Sequence, residues 1–290
     1  MRVDLLAGTA YTPAAMPAPV PTILVFDSGL GGLTVFAEAL NARPDARFVY
    51  AADDAGFPYG RLTPETLVVR VIAVIRRLIE TYAPDLVVVA CNTASTLVLP
   101  PLRERFRIPF VGTVPAIKPA AQLSRSKRIT VLATPGTVAR DYTRDLVETY
   151  AADCRVTLVG SRHLAGYAEA ELAGAPVADT AIAAELAPCF VTERAERTDV
   201  IALACTHYPL LLPRLRRLAP WPVTWVDPAP AIARRIVQLI GSPIPGRRPN
   251  GADAVAVFTS AATLTPTLRE ALRRWALHDI TVEAMPFAIG

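Results

Sequence analysis

Asp85-Leu86-Val87-Val88-Val89-Ala90-Cys91-Asn92-Thr93 and Asp199-Val200-Ile201-Ala202-Leu203-Ala204-Cys205-Thr206-His207 match position by position, in two distant parts of one chain. Each is an aspartate, an unbroken apolar run, an alanine, a cysteine and then polar residues. A short apolar run without alternation reads as a strand buried on both faces, as in a parallel sheet between helix layers. Ligand sites on such sheets form beyond the carboxyl ends of the strands, where both cysteines fall. The repeat therefore predicts an α/β fold of two pseudo-symmetric domains with mainly parallel sheets. Packed face to face, they put Cys91 and Cys205 on opposite sides of one cleft.

Outward from these two segments, strand-like runs alternate with helix-length amphipathic stretches. Ile23–Phe26 reads as a first strand ending at Asp27-Ser28-Gly29, with Gly29, Gly31 and Gly32 making a turn into a helix from about Leu33. Phe48–Ala52 is a second strand, and a turn-rich segment runs from Asp53 to Gly60. Thr63-Pro64-Glu65 opens a helix to about Tyr82, with proline well placed in its first turn. Leu86–Ala90 is the strand that delivers Cys91.

The pattern then restarts. Ile129–Ala133 is a strand ending at Thr134-Pro135-Gly136-Thr137, with a helix through Tyr150. Val156–Val159 is a strand, Leu164–Leu172 helical, and Thr180–Arg194 a further helix. Val200–Ala204 delivers Cys205. Strands near Val223–Val226 and Ala254–Phe258, a helix near Thr265–Ala276 and a last strand near Ile280–Ala284 complete the reading, with Gly241–Gly251 as a loop.

Inverting a carbon centre by proton transfer requires a base on one face and an acid on the other. A thiol, with an ordinary pKa of about 8.5, serves in either role once neighbouring groups tune it. Two opposed thiols therefore exchange roles with the handedness of the substrate. The flanking residues suit a small amino acid: Asp27 and Ser28, Asn92 and Thr93, Thr206 and His207, and Thr134 and Thr137 in the turn that mirrors Asp27-Ser28. Asp27 is placed to accept from an ammonium or assist Cys91, and His207 to assist Cys205.

Composition narrows the alternatives. The 290 residues carry a formal net charge of +4, almost wholly from arginines spread over amphipathic stretches, with no concentrated basic patch or stacking platform for nucleic acid. Cys91, Cys154, Cys189 and Cys205 lack C-x-x-C spacing or a histidine cluster, so neither a zinc site nor a disulfide framework is expected. The glycine cluster lacks the Gly-Lys-Ser/Thr of a phosphate loop. A pyridoxal Schiff base needs a lysine, and neither Lys118 nor Lys127 falls at a strand end, so no cofactor is expected. Residues 5–26 are uncharged, but Pro13, Pro17, Pro19 and Pro21 interrupt any span, and Asp4 argues against a signal peptide. A cytoplasmic protein with a flexible extension is expected, with no membrane partner.

Five segments resemble the bacterial glutamate racemases, within the wider aspartate/glutamate racemase superfamily. They are Val25-Phe26-Asp27-Ser28-Gly29-Leu30-Gly31-Gly32-Leu33-Thr34, Phe57-Pro58-Tyr59-Gly60, Ala90-Cys91-Asn92-Thr93-Ala94-Ser95, Thr134-Pro135-Gly136-Thr137 and Cys205-Thr206-His207-Tyr208-Pro209. They stand in family order within about residues 22–230. The resemblance implies interconversion of L- and D-glutamate without pyridoxal phosphate or metal, supplying D-glutamate for peptidoglycan synthesis and so the cell wall. It implies that Cys91 deprotonates the D-enantiomer and Cys205 the L-enantiomer, assisted by Asp27, His207 and a carboxylate matched by Glu169. Ser28, Asn92, Thr93 and Thr206 match residues around the α-carboxylate and ammonium; Tyr59, Gly60, Thr134 and Thr137 match those near the side-chain carboxylate.

The sequence departs from the family at Thr113-Val114-Pro115-Ala116, where many members have Glu-Pro-Gly, and around Glu169. The tail's strand-helix-strand pattern suggests that it completes the first sheet. The expected division is residues 1–21 as the extension, 22–114 with 223–290 as a discontinuous first domain, and 115–222 as the second. A homodimer is the base-rate assembly. Aspartate or a hydantoin as substrate, hydrolysis through a single cysteine nucleophile, and a non-catalytic binding role stay open at the level of sequence.

Overall fold

Thr22–Asp27 (β1) and Arg47–Ala52 (β2), the first two apolar runs, pair in parallel with Ile23 opposite Phe48. The computed structural model describes residues 20–194, 196–246 and 254–283. The first unit continues through Leu33–Ala42 (α1, between β1 and β2), Pro64–Tyr82 (α2), Leu86–Val89 (β3), Asn92–Arg105 (α3) and Phe110–Gly112 (β4). Next come Ile117–Leu123 (α4), Arg128–Ala133 (β5), Pro135–Val138 (α5), Asp141–Tyr150 (α6), Arg155–Gly160 (β6), Leu164–Leu172 (α7) and Asp179–Leu186 (α8). A hairpin of Thr192–Glu193 (β7) and Glu196–Arg197 (β8) precedes Val200–Ala204 (β9), Leu212–Leu218 (α9), Thr224–Val226 (β10) and Ala229–Ile240 (α10). Ala254–Phe258 (β11), Pro266–Arg273 (α11) and Leu277–Val282 (β12) end the described chain.

Two parallel sheets result, ordered β12-β11-β2-β1-β3-β4 and β10-β9-β5-β6. Four strands of the first, β2-β1-β3-β4, correspond in order to β6-β5-β9-β10 of the second, so the two cysteine-bearing strands hold equivalent places. β11 and β12 extend the first sheet beyond β2 and have no counterpart in the second. Each central strand is buried on both faces. Ile23 and Val25 face one core while Leu24 and Phe26 face the other, and β9 divides Ile201 and Leu203 from Val200, Ala202 and Ala204 in the same way. That two-sided burial is why these strands read as continuous apolar runs.

Helix α2 shows how local signals set boundaries. Thr63 accepts from the Thr66 N–H at its N-cap, Pro64 takes the first helical position, and Ala83 closes it in the left-handed conformation just before Pro84. Its inner face, including Leu67, Val71, Ile75 and Leu78, packs on the sheet.

Three sequence expectations need correction. The helix expected over Thr180–Arg194 ends at Leu186. Pro188 falls in a 3-10 turn, where it has no N–H to continue the α-helical ladder, and the Cys189 carbonyl accepts from the Thr130 hydroxyl of β5. Beyond it the chain forms the β7–β8 hairpin. The helix expected through Tyr150 is broken into α5 and α6, with Arg140 extended between them. Finally, Thr224–Val226 pairs with Val200–Ala202, so the chain leaves the second sheet after Val226 and not at the expected 222/223 boundary. The expected extension lies outside the described residues except for its last two positions, as do Ala284 and part of the 241–251 loop. Among the described residues no helix is long and apolar enough to cross a membrane.

Candidate active site

Cys205 follows directly on β9 and Cys91 follows the end of β3 after one intervening residue, and both line one small cavity of about 30 Å³. Ser28, Tyr59, Gly60, Asn92, Thr93, Thr134, Thr206 and His207 also line it, together with Phe57, Pro58 and Ala165. The last three were not among the residues singled out from sequence. Phe57 and Pro58 carried a signal, since they begin the Phe57-Pro58-Tyr59-Gly60 segment; Ala165 carried none. Asp27, Thr137 and Glu169 do not line the cavity but contact residues that do.

The two thiols are 5% and 7% exposed, and their surroundings differ. Around Cys91, burial is the largest influence and pushes the thiol up to about 12, with the Asp27 carboxylate adding to it; the Ser28 side chain and the Ala94 N–H pull the other way. Asp27, at the end of β1, is itself raised by burial, although His207 and the Gly29 and Gly32 N–H groups offset part of this. Its two oxygens accept from the Thr206 hydroxyl at 3.2 Å and the Gly29 N–H at 3.1 Å.

Cys205 faces a basic partner instead. His207 Nδ1 is 3.8 Å from its Sγ, and His207 Nε2 is 2.7 Å from Glu169 Oε1, with the Gly31 nitrogen 3.2 Å away. Burial works against charge on this histidine, yet the thiol and Glu169 beside it hold its pKa well above the usual range. The Gly31 N–H points at the same Nε2 that faces the Glu169 carboxylate, so this ring nitrogen stands between a backbone donor and a carboxylate. Glu169 Oε1 also accepts from the Leu30 N–H at 2.6 Å, so this carboxylate of the second unit is seated on a loop of the first.

That loop is glycine-rich because of what it meets. A Cβ on Gly31 would run into the His207 ring, and one on Gly29 into the Glu169 carboxylate. Further bonds cross the cleft: Thr34 donates to the Thr206 carbonyl, and the Thr93 hydroxyl lies 3.0 Å from that of Thr134 and 3.4 Å from that of Thr137. The amide nitrogen and oxygen of Asn92 are both buried at the cavity wall without a partner, a costly arrangement unless a ligand supplies one. Polar atoms from both units thus converge on a space between two thiols.

Residues 32–236 match the model of the family described as Asp/Glu/Hydantoin racemase. The chain belongs to that family. Within the racemase family it is 54% identical over 242 residues to glutamate racemase from Mesorhizobium japonicum, covering 83% of this chain and 92% of that protein. It is equally 54% identical over 239 residues to glutamate racemase from Agrobacterium fabrum, covering 82% and 87%. The crystal structure of Escherichia coli glutamate racemase, in complex with L-glutamate and the activator UDP-MurNAc-ala, superposes with a TM-score of 0.83. It has 38% sequence identity and covers 93% of this chain and 100% of that one. This member of the racemase family is accordingly an isomerase, and its two-unit fold is that of the glutamate racemases.

Proposed function

We propose that the cleft interconverts L- and D-glutamate by a two-thiol acid–base reaction in which Cys91 and Cys205 stand on opposite faces of the α-carbon. The observation that carries this reading is the pair of thiols at the ends of two equivalent strands, lining one cavity. Single-nucleophile hydrolysis leaves the second thiol without a task.

For L-glutamate, the Cys205 thiolate takes the α-proton and the Cys91 thiol returns one to the other face; for D-glutamate the roles reverse. Cys91 is held as the neutral thiol, ready to give a proton, and the His207 ring lies beside Cys205 to assist proton transfer there. Glu169 orients His207, and Asp27 lies beside Cys91. Unpartnered Asn92, with Ser28, Thr93 and Thr206, supplies bonds for the α-carboxylate and ammonium and for charge that develops on the carboxylate as the proton leaves. Tyr59, Gly60 and Thr134 form the far wall, where a side-chain carboxylate fits, with Thr137 behind them bonded to Thr134 and Thr93. The product supplies D-glutamate for peptidoglycan synthesis, placing the activity in the cytoplasm; a homodimer is the assembly to test by sedimentation.

We assign the working division of the chain to 20–114 with 227–283, and 115–226. The described cavity has room for about one or two waters and not for a five-carbon amino acid, so substrate entry requires its walls to open.

The test is incubation of reduced protein with L-glutamate in deuterated buffer without added cofactor, followed by optical activity and proton NMR. Loss of optical activity with deuterium at the α-carbon is expected. Exchange on aspartate or a hydantoin but not on glutamate would move the substrate assignment, and no exchange on any of them would overturn the reading.

A further inference from the structure

Asp53, the first residue after β2, is fully buried, and the proposed reaction makes no use of it. Four donors nevertheless converge on its carboxylate. Oδ2 accepts from the Tyr59 hydroxyl at 2.5 Å and Arg70 Nε at 2.6 Å, and Oδ1 from Arg70 Nη2 at 2.5 Å and the Thr259 hydroxyl at 2.7 Å. Arg70, from α2, is 3% exposed. Breaking such a buried, bidentate pair is costly, whereas a hydrophobic pair in its place often costs nothing, so its presence calls for a reason beyond stability.

The reason lies in what Tyr59 carries. Its ring packs in the same core as Cys91, its hydroxyl turns towards Asp53, and Tyr59 and Gly60 form part of the cavity wall. The stretch from Phe57 to Arg61 contains only a single 3-10 turn, Tyr59–Arg61, so its own hydrogen bonds do little to hold it. Its position depends on anchors. Gly56 is glycine because a Cβ there would strike Arg70 Nε.

A second set of anchors comes from the segment after β11. The Thr259 hydroxyl accepts from the Ala55 N–H at 3.1 Å while donating to Asp53. Asp54 accepts from the Ser260 N–H and the Thr263 hydroxyl, each at 2.9 Å. These residues lie beyond residue 236, where the family match ends.

We propose that Asp53, Arg70 and Thr259 are positioning residues that hold the Phe57–Arg61 stretch, through Tyr59, at the side-chain end of the substrate cavity. This rests on the two-thiol glutamate reading. It gives the tail of the chain a part in substrate recognition although it touches no substrate.

The test uses the full chain with Thr259→Val, which keeps shape and removes the hydroxyl, Thr259→Ser as rescue, and Arg70→Met. Racemisation of both enantiomers is measured with Tm, and iodoacetamide labelling of Cys91 and Cys189 is quantified by mass spectrometry. Cys189, fully buried in the second unit's core, reports global opening. In Thr259→Val and Arg70→Met, KM for glutamate is expected to rise about tenfold with kcat within about twofold, the mark of lost binding that is equal in ground and transition states. Cys91 labelling is expected to rise about tenfold over Cys189 as its cover loosens, and Thr259→Ser to restore both values. A fall in Tm with KM unchanged, or labelling of Cys91 and Cys189 rising in step, would overturn the proposal in favour of a purely structural role. Were the unsubstituted chain inactive on glutamate, the substrate reading would fail, and the ratio of Cys91 to Cys189 labelling alone would decide positioning.

Discussion

Cys91 and Cys205 sit on equivalent strands and meet opposite electrostatics, burial and Asp27 on one side and His207 with Glu169 on the other. In the proposed reaction, replacing either thiol by serine removes one face of the proton relay, with an expected loss of about 10³-fold in racemisation. Because the enantiomers have equal free energy, kcat/KM must fall by the same factor in both directions. Exchange without inversion should survive selectively: Cys91→Ser retains deuterium incorporation into L-glutamate at constant optical activity, and Cys205→Ser into D-glutamate. Full racemisation by either variant would sink the two-thiol assignment. The raised pKa of Cys91 also shapes stability. Between about pH 8.5 and 12 the unfolded chain has lost the Cys91 proton while the folded chain keeps it, so stability falls by about 1.4 kcal/mol per pH unit for this group. Urea melts across that window should show a shallower decline in Cys91→Ser; an unchanged slope would mean that the thiol is not so perturbed. At this scale the residue types were legible from sequence, since the duplicated Ala-Cys elements and their polar neighbours stand out in any reading. The partners of Glu169 were not, because the Leu30 N–H lies far off in the chain and carries no side-chain signal.

At the scale of elements, the turn between β1 and α1 is shaped by the opposite wall. Gly31→Ala places a methyl group against the His207 ring, so the imidazole must shift away from Cys205 or the cleft must stand open. A displacement of that size at a reacting group is expected to lower kcat/KM about 100-fold with little change in Tm. Activity within about twofold of the unsubstituted chain would show that the loop and histidine do not need this approach. Buried parallel strands announced themselves as continuous apolar runs, and α2 through its Thr63-Pro64 start. Other elements did not. Helix α3 contains Pro100 and Pro101, local breakers that are overridden where Val98, Leu99 and Leu102 pack against the sheet. Strand β4 is three residues long, too short to show a period, and α10 begins right after Pro228 with Pro230 in its first turn, prolines that read as loop signals. The segment after Leu186 failed in the other direction, its helical pattern outrunning Pro188.

Across the whole molecule, the bonds from Thr34, Thr93, Leu30 and Asp27 to Thr206, Thr134, Glu169 and Thr206 respectively draw the two units together over the cavity. In the proposed reaction, entry of substrate and closure over it are expected to involve both walls at once. In the Cys91→Ser/Cys205→Ser chain, saturating L-glutamate should slow amide exchange together in residues 27–34, 57–61 and 206–211. Protection confined to one wall would argue against coupled closure. The sequence by itself determined two parallel α/β units, each delivering a cysteine to a strand's carboxyl end, because burial on both faces and the turn residues at strand ends are local properties written in consecutive positions. Only the tertiary structure decided that β10 stays with the second sheet, that Glu169 and His207 rest on the glycine turn of the first unit, and that Thr259 reaches back to Asp53. Those contacts join residues distant in the chain, and they follow from how finished elements pack, which no local period encodes.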